Sequence, residues 1–188
     1  MSNMSIARKL FRLFKSLMEY QKIKLLLKGD LPQFEKIMNV VCRASFLWYW
    51  FFDNLSVLIK IKFINSLDFN SINRKACKFW LLGCLTGMFL AVYSMINDMK
   101  KEAELLLKAK IKPSDSADAK PSDDNAWKQE WKKLQEKKKT NLLNFIKNGG
   151  DAITASQTLG YPKRFFGFSF SESIVGLGGF TSAAITCY

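Results

Sequence analysis

The chain has 188 residues, 48% of them hydrophobic, and 29 Lys and Arg against 16 Asp and Glu give it a formal charge of +13. Its 16 Phe and 5 Trp gather in three apolar stretches, while the charges gather at the N-terminus and between Asp98 and Lys139, the pattern of a membrane protein with wet extensions. With no histidine, and with Cys42, Cys77, Cys84 and Cys187 lacking metal-ligand spacing, the sequence excludes histidine-based catalysis and gives no ground for a zinc site or a disulfide-built secreted fold.

So strong a positive charge calls for a polyanionic neighbour. Anionic lipid ranks above nucleic acid, because the basic residues flank apolar stretches and no base-reading or phosphate-gripping module is present. The reading carries no cofactor, no metal and no enzyme activity, since neither a nucleotide loop nor a catalytic constellation supplies a mechanism.

From Ile6 to Lys28 a 3.6-residue period places Arg8, Arg12, Lys15, Glu19 and Lys22 on one side and Ile6, Leu10, Leu13, Leu17 and Tyr20 on the other. An ordinary surface helix has the same period, and mitochondrial presequences have a similar composition. The neighbouring membrane segments favour a helix lying in the lipid interface. In that reading Arg8, Lys9, Arg12 and Lys15 meet lipid phosphates, while Leu10, Phe11, Leu13, Phe14 and Leu17 enter the acyl boundary.

Gly29, Asp30 and Pro32 break this helix, and a second one is expected through VVCRASFLWYWFFDNLSVLIKIKF. Its ten Val, Leu, Ile and Phe residues from Val40 to Ile59 favour insertion by roughly 3 to 6 kcal/mol, against roughly 5 to 7 for Arg43 and Asp53. The segment is therefore expected to pack on other helices with both charges facing protein, headgroups or water. Phe79 to Asn97 follows Arg74, Lys75 and Lys78, contains 19 residues without a charge and should span a bilayer. Within it Gly83 and Gly87 have the spacing that lets another helix approach closely.

Beyond Asn97 the helix is expected to continue in water until PSDSADAKPSDDNA, residues 113–126, which reads as a polar linker. A second amphipathic helix follows, marked by Trp127, Trp131, Leu134, Leu142 and Phe145, with Asn148, Gly149 and Gly150 expected to end or bend it. From Phe165 to Tyr188 the chain is apolar except for Glu172, and Gly178 with Ser182 and Gly179 with Ala183 repeat the close-packing spacing. The fold class is thus an all-α membrane protein, with amphipathic helices plus one clear and one or two marginal transmembrane helices. It divides at 1–112, 113–126 and 127–188. The positive-inside rule does not orient it, because 14 basic residues precede the span and 13 lie between Lys100 and Lys147.

Four segments in order carry a resemblance: ARKLFRLFKSL, Ala7 to Leu17; YWFFDNLSVLIKIKF, with Asp53, Asn54, Leu55 and Lys60; NFIKNGGDAITASQTLGY, around Asp151; and IVGLGGFTSAAI, Ile174 to Ile185. Together they resemble the peroxin-eleven family of peroxisomal membrane-elongation proteins, relative to which this chain is expected to lack the usual N-terminal extension and to be shortened at the C-terminus. The resemblance implies a non-enzymatic protein of the peroxisomal membrane that inserts an amphipathic helix, self-associates, elongates peroxisomes and helps recruit fission machinery. A second reading keeps the scaffold as a structural accessory subunit of a large complex in the mitochondrial inner membrane, with other subunits as partners.

Overall fold

The computed structural model describes residues 14–111 and 121–187, with side chains for 14–108 and 127–187. They form α1 (Lys15–Lys28), α2 (Gln33–Lys60), α3 (Phe69–Ile111), α4 (Pro121–Leu159), the short α5 (Tyr161–Phe166) and α6 (Glu172–Cys187), with no strand among the described residues.

Local chemistry sets the ends. Gly29 takes an extended conformation after α1, and Pro32 stands immediately before α2, where its fixed φ suits a helix start. At the end of α2, Lys62 adopts a left-handed conformation (φ 59°), and the next residue, Phe63, donates its N–H to the Leu58 carbonyl at 3.0 Å. Asp68 caps α3 by accepting from the N–H groups of Asn70 (3.3 Å) and Ser71 (2.8 Å). α4 begins at Pro121, inside the segment expected to be a linker, here with proline at the first helical position. It then runs through Gly149 and Gly150 to Leu159, because tertiary packing outweighs the weak helix propensity of glycine.

Helices α1, α2, α3, α4 and α6 stand antiparallel in a single row, each touching its neighbours in that order, while α5 packs on α4. α1 and α6 close the two ends of the row and do not touch each other. Aromatic rings join α2 to α3: Phe52 stacks on Phe79 (5.7 Å between centroids), Tyr49 on Trp80 (5.4 Å), and Phe34 tilts against Tyr93 (5.5 Å). Such pairs add about 0.5–1.5 kcal/mol each beyond the area they bury.

α3 is, among the described residues, the one helix long and apolar enough to cross a membrane. Its 43 residues make a rod of roughly 64 Å. The charge-free part, Phe79 to Asn97, reaches about 28 Å, close to the hydrocarbon thickness. Leu82, Leu85, Phe89, Val92 and Ile96 form an exposed stripe along one side, each 42–52% accessible, while Cys84 and Ala91 are buried on another. That exposed stripe is the surface expected against lipid tails.

Candidate lipid-facing surface and polar groove

Arg8, Lys9, Leu10, Phe11, Arg12 and Leu13 lie outside the described residues. Of the remaining lipid-binding candidates, Phe14 is 73% and Leu17 57% exposed, and Lys15 places its ammonium 4.6 Å from the Trp50 ring centre. The line of α1 turned inward is Ser16, Glu19, Ile23 and Leu26, with Lys15 and Lys22 exposed beside it. Glu19 is buried, accepting from Lys22 at 2.7 Å and from Arg43 of α2 at 3.4 Å. Phe14, Leu17, Tyr20 and Leu25 are left exposed, so α1 does not seal a core with its apolar side as a surface helix of a water-soluble protein does.

The small residues divide among several contacts. A Cβ on Gly83 would stand 3.1 Å from the Phe46 ring of α2, and one on Gly87 2.8 Å from the Asn148 amide nitrogen of α4. The GxxxG pair therefore serves packing within the chain, one glycine to each neighbouring helix. Gly178 meets Gly150 of α4: a Cβ on Gly178 would stand 2.9 Å from the Gly150 carbonyl oxygen, and one on Gly150 would collide with the Gly178 carbonyl. Ser182 is buried one turn on, whereas Gly179 has no neighbour at Cβ range and Ala183 is exposed. Of the family-motif positions, Asp53 is buried, Asn54 and Leu55 are half-buried, and Lys60 lies 4.5 Å over the Phe69 ring where α2 gives way to α3.

Sequence inspection passed over a stripe on α4. Lys137, Asn141, Asn144, Asn148 and Asp151 recur at spacings of four, three, four and three, the period of one helix face, and all five line a groove. Lys137 donates to the fully buried Asp98 of α3 at 2.8 Å. Asn141 bridges Asp98 (2.8 Å) and Ser94 (2.9 Å). Beyond the apolar span, Glu102 accepts from Lys138 and from Gln135 (2.9 Å), and these donors hold its carboxyl below the usual carboxylate range.

The groove occupies about 1060 Å³ on one face of the row, with walls from α1, α2, α3, α4 and α6. Arg43, Glu19, Asn144, Lys147 and Asp151 give it a polar lining of both signs, and Phe46, Trp50, Trp80 and Leu90 give it an apolar side. The pairings of Lys137 with Asp98, Asn141 with Ser94 and Asn148 with Gly87 set α4 antiparallel to α3. This register puts the polar stripe beside the charge-free span.

The family model described as peroxisomal biogenesis factor 11 (PEX11) matches residues 1–188. A relative named "Peroxisomal membrane protein 11 homolog", from Dictyostelium discoideum, is 29% identical over 192 aligned positions, covering 97% of this chain and 72% of its own length. No solved structure matches. The comparisons lend no support to the mitochondrial alternative. A helical chain with one long apolar span, matched along its whole length by that family model, belongs to the peroxisomal biogenesis factor 11 family and is a protein of the peroxisomal membrane.

Proposed function

We propose that this chain takes part in peroxisome proliferation by shaping the membrane itself, with the N-terminal amphipathic segment as a one-leaflet wedge and helix association concentrating the wedges. The observation that carries the reading is the outward apolar side of α1, where Phe14, Leu17, Tyr20 and Leu25 stand exposed at the end of the helix row that contains the spanning α3. Apolar side chains entering one leaflet enlarge its area relative to the other, and curvature follows. Gly83 and Gly87 are occupied within the chain, so association between copies falls to other surfaces, of which the apolar stripe from Leu82 to Ile96 on α3 is the most extended.

The test is reconstitution of the full chain into liposomes containing anionic lipid. Wild-type protein is expected to draw out tubules, and the double variant Phe14→Asp, Leu17→Asp to insert through α3 without tubulating. Each aspartate replaces an exposed apolar contact with a charge that does not enter the acyl region, at a cost of roughly 2.5 to 3.5 kcal/mol if carried to the bilayer centre and less at the interface. Equal tubulation by both proteins contradicts the wedge.

A further inference from the structure

Polar side chains at bilayer depth face protein or a water-lined space, because hydrocarbon offers them no hydrogen-bond partners. The groove collects such side chains in number. It runs beside α3 from Ser94 to Trp80, a rise of roughly 21 Å within the charge-free span. That distance is about two-thirds of the thickness of a bilayer's hydrocarbon core. Asn141 lines it at the Ser94 end, Asn148 beside Gly87 at the middle, and Tyr49 with Trp80, on which it stacks, at the far end.

Two features decide what such a groove accommodates. Its charges are of both signs: Lys147 and the partly exposed Arg43 suit a phosphate, and Asp151 suits an ammonium group, while Glu19 is held by Lys22 and Arg43. A zwitterionic headgroup carries those two charges a few atoms apart. The second feature is the open side. Because α1 and α6 end the row without touching, the described helices leave the groove unclosed between them. An enclosed tunnel suits a dissolved solute. A polar trough open on one side, as between the described parts of α1 and α6, suits an amphiphile whose headgroup travels inside while its acyl chains stay in the surrounding lipid.

We propose that this groove is a path along which phospholipid headgroups cross between the two leaflets, so that the protein equilibrates phospholipid across its membrane. Arg43 and Lys147 carry the phosphate past the hydrocarbon centre, and Phe46, Trp80 and Leu90 hold the apolar root of the lipid. The path requires that α3 spans the bilayer, and it shares α1 with the proposed wedge, since Lys15, Met18, Glu19 and Lys22 lie on its wall; Asn144 and Lys147 of α4 belong to the path alone.

The experiment uses the purified full chain in phosphatidylcholine liposomes carrying a trace of tail-labelled fluorescent phosphatidylcholine, with dithionite added outside. Protein-free vesicles lose only the outer-leaflet fluorescence. Vesicles with the protein are expected to lose nearly all of it, while a dithionite-sensitive soluble dye sealed inside matched vesicles stays protected. Fluorescence loss that stops at the outer-leaflet share overturns the proposal, and so does equal loss of the sealed dye, which marks a solute pore. Asn144→Leu and Lys147→Leu, both lining the groove, are expected to slow the inner-leaflet phase roughly tenfold each, as loss of one polar contact at the barrier does. Leu85→Ala, on the exposed stripe, is expected to leave the rate unchanged, with helical circular dichroism as the check on folding. Wild-type rates in both groove variants overturn the assigned path.

Discussion

Gly150 and Gly178 bring the backbones of α4 and α6 so close that neither position has room for a methyl group without movement of the other helix. Gly150→Ala is therefore expected to destabilise the protein by about 1–3 kcal/mol, the usual cost of overpacking, and Gly179→Ala to change stability little, since nothing lies within Cβ range there. Thermal unfolding in detergent measures the difference, and equal midpoints for the two variants contradict this contact. The four-residue spacing in the sequence marks Gly178 with Ser182 and Gly179 with Ala183 equally, yet adjacent residues on a helix point about 100° apart. One pair can face α4 and the other cannot, and sequence periodicity does not say which. Glu19 and Arg43 pair across 24 residues, a distance no local pattern reveals.

Glu102 gives a pH dependence with a definite sign. Lys138 and Gln135 hold its carboxyl below the ordinary value of 4.5, so its contribution to the α3–α4 contact is fully present above that value and lost as pH falls through the depressed one. Amide-exchange protection near the C-terminal end of α3, taken relative to the unstructured rate at each pH, is expected to fall over that acid window in the wild type. Glu102→Gln is expected to remove the pH-dependent step, and an unchanged step in the variant contradicts the assignment.

Among the elements, α3 was the most legible, because 19 successive uncharged residues meet the length requirement for a bilayer without help from any partner. Its eight Leu, Phe, Val and Ile residues between Phe79 and Asn97 favour insertion by roughly 2 to 5 kcal/mol. The protein is expected to remain in the membrane pellet after alkaline extraction, and release into the supernatant contradicts a spanning α3. α4 was less legible. Its apolar residues drew attention to Trp127, Trp131 and Leu142, while the functional candidates are on the polar stripe from Lys137 to Asp151, readable only when the same period is applied to asparagines. Gly149 and Gly150 look like a helix end in isolation, and only the close approach of α6 explains why the helix contains them.

At the scale of the whole molecule, the chain is a row of antiparallel helices whose polar interior face is a groove and whose spanning helix shows an apolar stripe on its outside. Family membership fixes the peroxisomal membrane as its location. The arrangement of five helices around one groove was not legible in the sequence, because it depends on registers between helices far apart in the chain. The measurement that bears most directly on membrane shaping is the length of peroxisomes in cells overproducing the tagged full chain. Wild-type protein is expected to mark elongated peroxisomes, and Phe14→Asp, Leu17→Asp to mark peroxisomes of ordinary length at matched abundance. Equal elongation by both proteins, or none with the wild type, would contradict the account.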